Sequence, residues 1–199
     1  MRVALLMLRQ IACMTAFAVM GAAALAKVPS PTRIALEGGR LVQHEGKRLS
    51  TVDPATGNVS VIQLPAALNR AFTNSSSIGF PSDRSRLIEG NEYILIVVNQ
   101  ASSSNPSGYC GAGEEGTLYA LELRDSAAVP RLALPVQSCL KDFDLATDSN
   151  QRSEYLAISW QDEPIGIHVH WDVYGDQSDV SRFYRYEAGQ FVQAIQRAR

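Results

Sequence analysis

From Arg33 onward, apolar and polar residues alternate in short runs cut off by glycine, proline, asparagine and aspartate, and this alternation constrains the fold more than any other feature of the chain. Successive side chains of a strand point to opposite faces, so period-two runs of this length read as half-buried strands. The runs are Arg33 to Leu36, Leu41 to His44, Arg48 to Val52, Val59 to Leu64, Tyr93 to Val98, Leu118 to Leu123, Tyr155 to Trp160, Ile165 to Tyr174, Phe183 to Tyr186 and Phe191 to Ala194. Between them, Gly38-Gly39, Glu45-Gly46, Asp53 to Asn58 and Glu187-Ala188-Gly189 supply the positive-φ or fixed-φ positions that hairpins require. Only Pro65 to Phe72 reads as helix, with proline in the first turn and Ala66, Ala67 and Leu68 behind it. The segment Tyr93 to Val98 is apolar almost throughout, which marks it as a central strand.

Two internal echoes sharpen the architecture. Glu37 to Gln43 resembles Glu187 to Gln193, each a turn running into a strand, and Leu49 to Pro65 resembles Leu118 to Pro135, each a strand, a polar turn and a second strand ending in Leu-Pro. Echoing hairpins suggest blade-like units, but the chain is too short for a six- or seven-bladed propeller at about 40 residues per blade. The expected fold is therefore all-β, an antiparallel sandwich or a small, irregular propeller-like stack of sheets, in one domain over residues 27–199.

Residues 1–26 follow a different pattern. Arg2 and Arg9 carry the only charges, Ile11 to Ala26 is apolar or small, and the stretch ends in Ala24-Leu25-Ala26 before Lys27. This is the pattern of a secretory signal peptide with an A-x-A cleavage site, and its apolar run falls short of the ~20 residues that span a bilayer. Cys13 follows Gln10-Ile11-Ala12, with a polar residue where a lipobox needs leucine, which argues against lipidation. The expected location is the periplasm. Removing Arg2 and Arg9 leaves 16 Lys and Arg against 20 Asp and Glu, and the longest basic run is Lys47-Arg48. A nucleic-acid binder needs basic residues clustered on a face, so that class is excluded.

Two cysteines remain in the mature chain, Cys110 and Cys139, and in an oxidising compartment they read as a disulfide worth roughly 3 to 4 kcal/mol on the chain-entropy model. The competing reading is a catalytic thiol at Cys110 with His168 or His170 as base. Glu114 and Glu115 make that neighbourhood acidic, whereas a reactive thiolate needs an electropositive one.

Other constellations are less specific. Gly111 to Gly116 matches G-x-G-x-x-G, but a dinucleotide site needs a strand before and a helix after it, and two glutamates would repel phosphate. In Ile165 to Tyr174 the residues Ile165, Ile167, Val169, Trp171 and Val173 take one face, leaving His168, His170 and Asp172 on the other about 6.6 Å apart in turn. Those three are the candidate zinc ligands, with Asp176 or Asp179 as a fourth, although the alternation by itself calls only for a solvated polar face. Asp172, Asp176 and Asp179 lack the order of a calcium loop, and no G-x-S-x-G nucleophile elbow occurs. No metal, cofactor or catalytic residue is assigned on this reading.

The segment Asn99 to Gly116 links the central strand to another strong strand. Long loops on rigid sheets frequently carry function. Tyr109 sits there beside Ser102, Ser103, Ser104 and Ser107, a composition suited to entering a partner's cleft, and a bond between Cys110 and Cys139 would anchor its base. A signal peptide, a small acidic all-β domain, one disulfide and a Ser- and Gly-rich loop together resemble the periplasmic immunity and inhibitor proteins of Gram-negative bacteria. Those proteins, among them the immunity partners of type VI amidases and the lysozyme inhibitors, block a peptidoglycan hydrolase by placing a loop in its active-site groove. The resemblance implies a non-enzymatic protein whose Ser102, Ser103, Ser104, Ser107 and Tyr109 contact a periplasmic peptidoglycan hydrolase or amidase. The alternatives are a metal- or thiol-dependent periplasmic hydrolase using His168 and His170 with Asp172 or Cys110, and a propeller-like envelope scaffold that binds through a sheet face. The leader generates a direct prediction: the chain recovered from the periplasm of an expressing Gram-negative cell begins at Lys27 by N-terminal sequencing, and an intact Met1 there would refute the cleavage site.

Overall fold

The computed structural model describes residues 32–105, 107–147 and 153–194, and the expected signal peptide, residues 1–26, lies outside them. Among the described residues the protein is mostly β, with antiparallel sheets and no closure into a barrel. The first sheet is a four-stranded meander of β1 (Arg33–Ala35), β2 (Leu41–Glu45), β3 (Arg48–Val52) and β4 (Val59–Val61). The helix α1 (Ala66–Thr73) follows, with Pro65 at its N-cap, and buries Leu68 and Phe72 one turn apart. Lys47 Nζ donates to the carbonyls of Thr73 and Ser75 at 2.7 and 2.6 Å, which satisfies acceptors at the end of the helix.

The second sheet is larger. Its first half runs through β5 (Ser77–Gly79), β6 (Arg86–Ile88), β7 (Asn91–Ala101), β8 (Glu114–Arg124) and β9 (Ala127–Ser138). Its second half holds β10 (Phe143–Leu145), β11 (Ile158–Gln161), β12 (Gly166–Tyr174), β13 (Gln177–Glu187) and β14 (Gln190–Gln193), after a short 3-10 turn over Glu154–Ala157. The short strands share partners: β5 and β6 divide one edge of β7, and β10 and β11 divide one edge of β12. A single pair, Ser138 with Phe143, joins the halves through β9 and β10.

The result is three antiparallel layers packed around two cores, consistent with the sandwich form of the expected all-β fold. Every residue of β7 from Tyr93 to Asn99 is buried. Leu95 and Val97 point into one core with Leu118, Val136, Ile167, Val169 and Trp171, which fills the space between the two halves of the larger sheet. Ile94, Ile96 and Val98 point into a second core with Ile34, Val42, Leu49, Leu68, Phe72 and Phe80, beneath the first meander and α1. The layers are also stitched through the backbone, by Ala35 to Asp83 and Ser85 and by Gln63 to Ser126 and Ala128, at 2.7 to 3.0 Å. Trp171 Nε1 donates to the Val136 carbonyl at 2.9 Å and so ties β12 to β9.

The structure departs from the sequence expectations in several places. Strands β7 and β8 run past the apolar segments, pairing Asn99 with Gly116, Gln100 with Glu115 and Ala101 with Glu114, so the connection between them shrinks to residues 102–113. Strand β9 carries Pro130 and Pro135, residues that cannot donate to a ladder, and outside the second echo the pattern gave no sign of it. The ladder to β8 accommodates them by shifting register once between Ala120 and Leu121 and again between Gly116 and Thr117, each shift beside a proline. Tyr155 to Ala157 is a 3-10 turn instead of the start of a strand, and Ile165 precedes β12 and is exposed instead of facing the core.

Because the two cores lie on opposite faces of one strand, Leu95→Ala and Ile96→Ala open cavities in different cores. Each is expected to lower the unfolding free energy by about 2–5 kcal/mol in urea denaturation, while Val61→Ala on the exposed β4 stays within about 0.5 kcal/mol. A negligible effect of either core variant would contradict the three-layer packing.

Candidate functional site

The connection over residues 102–113 is built from the residues outward. Its base is closed by a covalent bond: Cys110 and Cys139 are disulfide-linked with Cα atoms 5.8 Å apart, so Cys110 has no free thiol for nucleophilic chemistry. Gly113 packs against this bridge, and a Cβ there would lie 2.6 Å from Cys139 Cβ and 2.8 Å from its Sγ. Gly116 is under the same constraint from Asn99 Oδ1 at 2.7 Å. Two glycines of the nucleotide-like motif therefore serve close packing.

A carboxylate completes the base. Glu115 Oε1 accepts from Ser102 Oγ at 2.6 Å and from the Leu140 amide at 3.3 Å, and its Oε2 accepts from Ser138 Oγ. Ser138 Oγ in turn accepts from the Lys141 amide at 3.0 Å. Burial pushes the Glu115 carboxyl up, but the Ser102, Ser138 and Leu140 hydrogen bonds and the nearby Lys141 ammonium outweigh it and hold the group below the usual carboxylate range. In the sequence Glu115 reads only as local acidity; in the fold it has a specific role, binding the start of the loop to the β9–β10 turn.

The loop interior is a chain of tight turns. Asn105 N donates to Ser103 Oγ at 3.0 Å, Ser107 N to Asn105 Oδ1 at 3.1 Å, Gly108 N to the Asn105 carbonyl and Gly111 N to the Gly108 carbonyl. Of the residues singled out for partner contact, Ser102 and Ser103 are half-buried and spend their hydroxyls on this frame. Ser104, Ser107 and Tyr109 are exposed, and Tyr109, at 82% exposure, is the most open large apolar side chain among the described residues.

Beside the loop lies a cleft of about 510 Å³ between Tyr109 and the β9–β10 turn. Phe143 forms part of its wall and stacks on Tyr174 with ring centroids 4.4 Å apart and planes 3° from parallel, while the Arg182 guanidinium covers Tyr174 at 4.0 Å. Glu114, Asp142 and Asp144 also line it, and Glu114 Oε1 accepts from Ser76 Oγ at 2.7 Å. Leu140, directly after the bonded Cys139, is 52% exposed. Sequence reasoning passed it over; the available signal was a large apolar residue next to a bonded cysteine and outside any alternating run.

The histidine face lies elsewhere. Strand β12 turns Ile167, Val169 and Trp171 inward and His168, His170 and Asp172 outward, as the alternation requires. His170 Nε2 lies 2.6 Å from Asp179 Oδ1 across the β12–β13 hairpin. Among the described residues no three His, Cys, Asp or Glu side chains are grouped so that they could hold a metal ion. No helix among them is long and apolar enough to cross a membrane.

No family model matches this chain, and comparison with curated proteins and with solved structures finds no similar protein.

The Glu115 frame has a definite pH dependence. A carboxyl held below its ordinary value of about 4.5 contributes stability that is complete above that ordinary value and is lost as pH falls through the lowered folded one. Hydrogen exchange should therefore find the Leu140 amide equally protected from pH 5 to 8, after correction for intrinsic rates, and losing protection below about pH 4. Glu115→Ala, which removes the acceptor, should expose that amide at all pH values and cost about 1–3 kcal/mol of global stability; unchanged protection in this variant would show that Glu115 does not anchor the turn.

Proposed function

We propose that the protein is a periplasmic inhibitor of a cell-wall-degrading enzyme, acting by seating the loop over residues 102–113 in the enzyme's substrate groove. The observation that carries this reading is the combination of a rigid base and an open tip. The disulfide and the Glu115 hydrogen bonds fix the loop's base, and Ser104, Ser107 and Tyr109 face solvent. An exposed aromatic on a preordered loop loses little entropy on docking, which is the property an occluding loop needs. Tyr109 supplies the apolar contact and the serine hydroxyls supply hydrogen bonds to polar groups of the groove, with Ser102 and Ser103 shaping the loop that presents them. The secretory leader read in the sequence would place the protein where peptidoglycan hydrolases act, and the bonding of Cys110 favours this reading over a thiol hydrolase.

Purified mature protein is expected to slow wall clearing by at least one member of a panel of muramidases, amidases and endopeptidases. Tyr109→Ala should weaken that inhibition by about tenfold or more, the scale of an interface hot spot, with the melting temperature unchanged. Inhibition that is indifferent to Tyr109→Ala and to deletion of residues 104–109 would overturn the loop mechanism.

A further inference from the structure

The surface around the disulfide combines exposed apolar side chains with carboxylates. Tyr109 precedes Cys110 and Leu140 follows Cys139, and both side chains are mostly exposed. With bonded Cα atoms 5.8 Å apart and one residue step on each side, the Cα atoms of Tyr109 and Leu140 lie within about 13 Å of each other. The bridge therefore keeps two exposed apolar side chains within reach of a single partner, and burial against that partner would offset the cost of leaving them in water. The adjoining cleft carries Glu114, Asp142 and Asp144 together with the rings of Tyr109 and Phe143, and no lysine or arginine among the described residues lines it. Lys141 is exposed on the same turn but lies outside the lining.

We propose that Tyr109, Leu140 and the cleft beside them form one docking surface for a basic protein, with a lysine or arginine side chain of the partner entering between the Tyr109 and Phe143 rings. Charge decides the occupant. The Glu114 and Asp142 carboxylates and two aromatic faces favour a cation, through direct attraction and through the ring quadrupoles, and they disfavour an acidic or phosphate-bearing one. The flanking hydrophobics decide that the occupant is a protein surface: a small amine could fill the cleft but would leave Leu140 in water. The Phe143–Tyr174–Arg182 stack holds the cleft wall in place before binding. This assignment rests on the docking-inhibitor reading and adds the β9–β10 turn as a second contact and the chemistry of the partner.

The test uses the isotope-labelled mature protein and two probes, the peptide acetyl-Leu-Arg-Lys-Leu-Arg-Leu-amide and its counterpart with glutamate at the three basic positions. The cationic peptide is expected to shift amide resonances centred on Tyr109, Glu114 and Leu140 to Asp144, with an affinity falling about fivefold or more as salt rises from 20 to 300 mM. Leu140→Ser and Asp142→Asn should each weaken binding at least about threefold without changing the melting temperature; asparagine tolerates the left-handed backbone of position 142, where φ is 57°. Shifts elsewhere on the surface, equal binding of the acidic peptide, or wild-type affinity in both variants would overturn the assignment. Failure of the two readings is distinguishable. Hydrolase inhibition that depends on Tyr109 but ignores Leu140→Ser and Asp142→Asn removes this surface and keeps the loop mechanism, whereas peptide capture at the cleft with no hydrolase inhibited does the reverse.

Discussion

Burial of β7 on both faces is the constraint on which the rest of the structure depends. A strand with Leu95 and Val97 on one side and Ile94, Ile96 and Val98 on the other cannot rest at the surface of a two-layer protein, because one row would remain in water. The chain answers with the four-stranded meander and α1 on one face and the second half of the larger sheet on the other. The short strands β5, β6, β10 and β11 are consequences of this stacking: they complete the edges of the long strands where the layers need backbone partners.

The same stacking anchors both ends of the connection between β7 and β8. This connection springs from the two strands most firmly embedded in the protein, and its base is tied sideways to β9 and the turn after it by the disulfide and Glu115. Register matters here. The bulge beside Pro135 carries the ladder across to the Gly116–Gln137 and Glu115–Ser138 pairs, which puts Ser138 within reach of the Glu115 carboxylate and Cys139 opposite Cys110. Without that shift the end of β9 would present its side chains to different partners, and the pocket beside Tyr109 would have another wall.

On the proposed reading, the exposed Tyr109, the exposed Leu140 across the bridge and the acidic cleft beside Tyr109 would serve recognition, with a few apolar contacts dominating affinity and charge governing encounter and selectivity. Elsewhere, the outward face of β12 behaves as a solvated strand face, with His170 hydrogen-bonded to Asp179.

Local chemistry was legible in the residues alone. Alternation identified the strands from β1 to β3 and β12 almost to the residue, and proline followed by alanines located α1, because strand and helix periods and turn conformations are set by sterics within a few residues. With only Cys110 and Cys139 after the expected signal peptide, a single intramolecular pairing was available. Strand β9 escaped the pattern because its prolines contradict local strand chemistry, and only long-range pairing with β8, relieved by bulges, makes it a strand. The cleft and the exposure of Leu140 were equally out of reach, since they arise where segments far apart in the chain converge. What the sequence determined by itself is an all-β chain with a doubly buried central strand; which turns share a surface was decided by the packing of three layers, because that placement depends on contacts no local pattern encodes.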